Sequence, residues 1–199
     1  PERFLKKEKT TVISQPIKGT IKRSFDQRED EVLKKKLLNS EKERAENLMI
    51  VDLVRNDLAK SSIPGTVMVE ELFGINTFKR IHQMISTISA TFDNNLSLSD
   101  IIKNAFPMGS MTGAPKIRVM QEIDELEDSS RGLYSGSVGY FTPDGDFDFN
   151  VVIRSIIYDS SSEYLSFHVG SAITYDSDPV YEYNECLLKA ETIFESLSN

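Results

Sequence analysis

The chain places Pro143-Asp144-Gly145-Asp146 between two runs rich in β-branched and aromatic residues. An Asp-Gly pair flanked by alternating residues is a strong hairpin signal, because the tight turn needs the backbone freedom of glycine. Strands are therefore expected over Leu133–Phe141, Phe147–Tyr158 and Tyr164–Ile173. Helices are written around this β-rich part. Ser40-Glu41-Lys42-Glu43 reads as a capping box, and Ala45, Leu48, Met49, Val51, Leu53 and Val54 make the helix behind it apolar nearly all round. Further helices are expected over Arg28–Leu37, Ile101–Ala105 behind a Ser97 cap, from Pro115 to about Glu127, and after Asp178-Pro179. The charged segment 27–46 reads as the solvated entrance to the apolar helix. Val67-Met68-Val69 reads as a strand, while periodicity leaves 76–91 open between strand and helix. Antiparallel hairpins mixed with helices give an α+β class, with antiparallel sheets flanked by helices.

Thr11-Val12-Ile13 reads as a short strand leading into Ser14-Gln15-Pro16-Ile17-Lys18-Gly19-Thr20. Pro16 and Gly19 predict a stiff turn that presents the Lys18 amine, although a lone turn lysine is usually solvated surface. A net charge of −8 argues against non-specific nucleic-acid binding, so no nucleic-acid partner is expected. No window approaches the ~18 apolar residues of a membrane span, so no membrane partner is expected. The single Cys186 forms no disulfide within the chain, reads as a small core residue and fits a reducing, cytoplasmic setting. The opening Pro1-Glu2-Arg3-Phe4 has no initiator Met, and a piece of a longer protein is expected.

Glu43 and Glu46 are one helical turn apart, as are Glu182 and Glu185, with Lys189 one turn further on. Carboxylates on mostly apolar helices are costly unless paired or coordinated, so convergence on a hard cation such as Mg²⁺ is one reading. Two solvated faces are the other. A di-iron carboxylate site fails, because neither His82 nor His168 has a Glu three residues before it. Gly109-Ser110-Met111-Thr112-Gly113-Ala114-Pro115-Lys116 lacks the Walker spacing and keeps only the free amides of a helix start, which suit an anion. A plain loop-to-helix turn is the competing reading. Arg154 is expected inside the apolar strand Val151–Arg154, paired to an acid or aimed at an anionic ligand.

These segments together resemble the C-terminal half of the aminodeoxychorismate synthase component I family. That family is one of the chorismate-utilising enzymes, with the anthranilate, isochorismate and salicylate synthases. The resemblance covers residues 1 to about 195 and rests on several motifs in one order. They are Pro1–Phe4, Pro16–Thr20, Ala45–Leu53 with Arg55-Asn56-Asp57, Gly109–Lys116, Arg131–Gly136, Ile153-Arg154 and Glu182-x-x-Glu185. It implies the C-terminal part of a chorismate-binding domain over 1–199, whose other half completes a sandwich of antiparallel sheets with helices outside. It also implies amination of chorismate to 4-amino-4-deoxychorismate, with Mg²⁺ as cofactor and ammonia from a glutamine amidotransferase subunit, in p-aminobenzoate and folate synthesis. By this resemblance Lys18 is the nucleophile, Glu2 the general acid and base, and Glu46, Glu182, Glu185 and Glu43 the metal ligands. Tyr134, Arg154, Gly170, Lys189 and His82 bind substrate. The chain departs from the pattern at Ala172, Met108 and Gln121. Anthranilate synthesis and a non-catalytic fragment that keeps only the fold are the alternatives.

Overall fold

A computed structural model describes residues 2–93, 95–175 and 177–197, with the side chains of 192 and 196 left aside. The chain divides into two compact units, one of 2–130 with 137–151 and one of 131–136 with 152–199. The larger unit holds a seven-stranded antiparallel sheet. Its strands are β1 (Arg3–Glu8), β2 (Thr11–Gln15), β3 (Ile17–Lys22), β4 (Met68–Thr77), β5 (Ile81–Thr91), β6 (Ser137–Phe141) and β7 (Phe147–Val151). The order is β3-β5-β2-β1-β7-β6, with β4 also paired to β5. The β6–β7 hairpin turns where the Asp-Gly signal placed it, with Gly145 at φ +80°.

Strand β5 resolves the open segment. It is a strand because it pairs with three neighbours at once: β4, β3 through its first half and β2 through its second. Period-2 alternation puts His82, Met84, Ser86 and Ile88 on its buried face.

Helices α1 (Gln27–Leu38) and α2 (Glu41–Ala59) pack on this sheet. Asp26 caps the first and Ser40 the second, each side chain accepting the backbone N–H three residues on. The apolar run of α2 is not buried all round. Asn47, Ile50, Val51, Asp57 and Leu58 face inward, whereas Leu48 is 45 % exposed. One sheet covers one face, and burying Ile50, Val51 and Leu58 contributes about 1.5–3 kcal/mol each. The buried Asn47 carbonyl oxygen accepts a hydrogen bond from Ser86 on β5, at 2.5 Å. Helix α3 (Leu98–Ala105) carries the expected Ser97 cap, as a full capping box with Asp100. Helix α4 (Lys116–Leu126) starts one residue after Pro115.

The smaller unit contains a short hairpin, β8 (Ile157–Asp159) with β9 (Tyr164–Ser166), and helix α5 (Pro179–Leu197). Asp178 caps α5 by accepting from the Tyr181 amide. The expected long strands are cut short here. Residues 131–136 form turns, β7 ends at Val151 and β9 ends at Ser166. Ser135 at φ +66° and Arg154 at φ +54° lie in the left-handed region, outside the extended conformation of a regular strand.

Segment 27–46 is more than a solvated entrance. Asp30 on α1 is 8 % exposed and takes a bidentate contact from Arg23. Its other oxygen lies 3.0 Å from His82 Nε2, while His82 Nδ1 meets Thr77 Oγ1 at 2.9 Å. The Arg23 guanidinium, with help from His82, holds the Asp30 carboxyl down at about 2. That lies below the ordinary aspartate value, so the linked stability is complete at neutral pH and lost as pH falls from about 4 toward about 2. Asp30→Asn should lower stability at pH 7 and flatten its pH dependence between about 4 and 2. Urea midpoints of both forms across that range check this.

Candidate active site

Pro16 is fully buried between β2 and β3. Lys18 therefore lies in strand β3 and not in a turn. The register of β3 against β5 shifts between Ile17 and Thr20, and Gly19 there has φ +90°. A Cβ at Gly19 would stand 3.0 Å from Leu37 Cδ1 and 3.1 Å from Glu43 Oε2, so only glycine lets the strand approach α1 and α2 this closely. Across that approach Lys18 Nζ stands 3.9 Å from Glu46 Oε2, with both side chains mostly buried. Lys42 lies at the same distance from the other Glu46 oxygen.

Glu2 precedes β1 and is 7 % exposed. Burial pushes its carboxyl up to about 7, against the weaker pulls of Ser110, Lys18 and the Ile17 amide. It lines a pocket with Phe4, Ser14, Asp57, Gly109 and Ser110, of about 320 Å³ of atom-free space, part of it open to solvent. A carboxyl that titrates near neutrality next to a lysine can both take and return a proton at physiological pH.

Lys116 does not serve an anion at the start of α4. Its ammonium is consumed by Asp57, at 2.5 Å, and by the carbonyls of Ala105 and Pro107. A mostly buried ammonium has to be paired, and Asp57 is the acid that the loop packs against. Asp57 also accepts from Lys60.

His82 is 1 % exposed and both its ring nitrogens are engaged by Asp30 and Thr77. The alternation of β5 turns it into the core, so its place is structural and not on a substrate surface.

The smaller unit gathers most of the other expected residues. Tyr134 stacks on His168, with ring centres 5.5 Å apart. A Cβ at Gly170 would stand 2.7 Å from the Tyr134 hydroxyl, so glycine lets that hydroxyl lie where it does. Lys189 donates to the Gly170 carbonyl at 2.9 Å and to Glu185. Glu182 is 3 % exposed and accepts from Ser171. Arg154 lies outside any strand and is exposed, with Nη1 3.5 Å from the Lys189 carbonyl. Among the described residues it pairs with no carboxylate.

Glu43 and Glu46 thus belong to one unit, and Glu182 and Glu185 to the other. Among the described residues no group of three or more His, Cys, Asp or Glu side chains is gathered for a metal. Each pair supplies two hard oxygen donors one turn apart. Such oxygens are the donor type Mg²⁺ takes, and at present Glu46 faces Lys18 and Lys42 while Glu185 is paired with Lys189.

A family model described as chorismate binding enzyme matches residues 1–195. The chain belongs to the chorismate binding enzymes. Among curated members, it is 47 % identical over 95 % of its length to the chloroplastic aminodeoxychorismate synthase of Arabidopsis thaliana. It is 43 % identical over its full length to aminodeoxychorismate synthase component 1 of Salmonella typhimurium. The chain spans 20 % of the first relative and 43 % of the second. Anthranilate synthase component I from Streptococcus pneumoniae superimposes with a TM-score of 0.80 at 32 % identity, over 96 % of this chain and 41 % of that one. The antiparallel sheet with flanking helices is thus the fold of chorismate binding enzymes, of which this chain carries a part. No helix among the described residues is long and apolar enough to cross a membrane.

Ser110, the Lys116–Asp57 pair and the Arg23–Asp30–His82 bridge escaped the sequence reading. Ser110 and Lys116 sat inside a recognised motif, but only its backbone amides were read. Gly19→Ala should cost about 1–3 kcal/mol, the usual penalty for a side chain held at positive φ. It should also push Glu43 aside, and denaturant unfolding of the variant beside the parent checks the cost.

Proposed function

We propose that this chain belongs to an aminodeoxychorismate synthase, which converts chorismate to 4-amino-4-deoxychorismate on the way to p-aminobenzoate and folate. The observation that carries the reading is a buried carboxyl, Glu2, pushed up to about 7 within the electrostatic reach of a strand-bulge lysine, Lys18. The curated relatives bearing that name support the substrate.

In this reading Lys18 gives a proton to Glu2 and attacks C2 of chorismate. The C2–N bond forms, both ring double bonds shift by one position and the C4–O bond breaks. Glu2 returns the proton to the departing hydroxyl, which leaves as water. Ammonia then adds at C4 and passes a proton to Glu2, both ring double bonds shift back, and Lys18 departs and takes up that proton. Chorismate is a dianion and the chain is acidic, so cationic groups must receive it. Arg154 and Lys189 supply charge for a carboxylate, and Tyr134 above Gly170 supplies a hydroxyl. Mg²⁺ held by either glutamate pair, Glu43 with Glu46 or Glu182 with Glu185, would neutralise substrate carboxylate charge. The ammonia comes from a glutamine amidotransferase subunit, in keeping with the "component 1" of the Salmonella relative's name.

The full polypeptide containing this chain, given chorismate, ammonium and Mg²⁺, should release aminodeoxychorismate. Anthranilate together with pyruvate would instead indicate the anthranilate synthase reaction. Lys18→Ala should abolish amination through the covalent route while chorismate still binds, and mass spectrometry should detect a lysine adduct only in the parent. Unchanged product formation by Lys18→Ala would sink the nucleophile assignment. Glu182→Gln and Glu185→Gln should each weaken divalent-ion binding, read as loss of bound Mn²⁺ by electron paramagnetic resonance.

A further inference from the structure

The loop between α3 and α4 is built as a rigid bracket. Lys116 reaches back to the carbonyls of Ala105 and Pro107 and anchors both to Asp57 on α2. Within the bracket the Thr112 hydroxyl donates to the Met108 carbonyl, and the Met111 amide donates to the same group. Gly109 is pressed on α2, where a Cβ would stand 2.9 Å from Leu53 Cβ. The bracket carries Ser110 to the wall of the pocket that Glu2 lines. There the Ser110 Oγ is buried from solvent and completes no well-aligned hydrogen bond, although it lies close enough to act on Glu2. A buried hydroxyl without a partner is costly, and proteins seldom hold one without use.

We propose that Ser110 is the positioning residue of the Glu2 carboxyl: its hydroxyl, held by the Lys116–Asp57 bracket, donates to the carboxylate whenever Glu2 has given up its proton. This rests on the reading of Glu2 as the proton carrier. The geometry explains three features together: the glycine at 109, the clamped lysine at 116, and a hydroxyl left unspent at 110. The groups facing Glu2 are Lys18 and the Ile17 amide from β3, Ser110 from the loop, and Asp57 from α2 across the shared pocket. Asp57 is neutralised by Lys116 and Lys60, so the bracket also keeps a second bare negative charge away from Glu2.

The test uses the full polypeptide with ¹³C-carboxyl-labelled glutamate, the Glu2 signal being assigned by its loss in Glu2→Gln. The hydroxyl favours the charged form, so its removal should raise the Glu2 titration. Ser110→Ala and the nearly isosteric Ser110→Cys should each move the midpoint upward from about 7 by roughly half a unit to one unit. Ser110→Thr, which keeps the hydroxyl, should stay near the parent. The limb of the kcat/KM profile that vanishes in Glu2→Gln should move the same way. An unmoved midpoint in both the Ala and Cys variants would overturn the proposal, as would an equal shift in the Thr variant. If Ala disturbs the fold, the Cys variant decides. The carboxyl titration does not depend on turnover. A shifted midpoint in a protein that does not aminate chorismate would therefore reject the proposed reaction while leaving the Ser110–Glu2 contact in place.

Discussion

Strand β5 is the constraint on which the larger unit depends. It hydrogen-bonds to β2, β3 and β4, and its inward face carries the two polar groups that anchor the helices. Ser86 binds Asn47 on α2, and His82 binds Asp30 on α1. Apolar contacts alone would let a helix slide along a sheet. A buried polar pair has few favourable arrangements and many costly ones, so it fixes register as well as position, even though the Asn47 amide nitrogen keeps no partner among the described residues. The register of α2 then decides where Glu43 and Glu46 stand against β3.

That register matters because the proposed chemistry sits where strand and helix come unusually close. The bulge at Gly19 removes a side chain at the contact, and Lys18 is left 3.9 Å from the helix carboxylate of Glu46, its charge also acting on the buried Glu2. The two acids take different roles from their surroundings. Glu2 is buried with little charge compensation, and its proton affinity rises to the neutral range. Glu46 has a lysine on either side.

The smaller unit uses another device. Its substrate candidates are placed by turns and by α5 instead of a sheet. Left-handed residues at Ser135 and Arg154 direct the chain at the edges of two sequence motifs. Glycine at 170 lets the Tyr134 hydroxyl lie against the backbone. Lys189 then ties the Gly170 carbonyl to Glu185, one turn away on α5. Uncommon backbone conformations concentrated around candidate binding residues are expected where a site has to be held in shape.

Local chemistry was enough to write the α+β class, the Asp-Gly hairpin, the caps at Ser40, Ser97 and Asp178, and the pairing of Glu43 with Glu46 and of Glu182 with Glu185. Turn residues, caps and helical spacing act over a few residues, and their signals are printed locally. The motifs carried the family for the same reason. What only the tertiary structure decided involves partners distant in the chain. Segment 81–91 became a strand because three strands claimed its hydrogen bonds. His82 turned into the core because Asp30, fifty-two residues earlier, waits there. Lys116 was spent on Asp57, and Arg154 left its expected strand for a left-handed turn. Whether a charged side chain is free for a ligand depends on which opposite charge the fold brings beside it, and no local pattern encodes that.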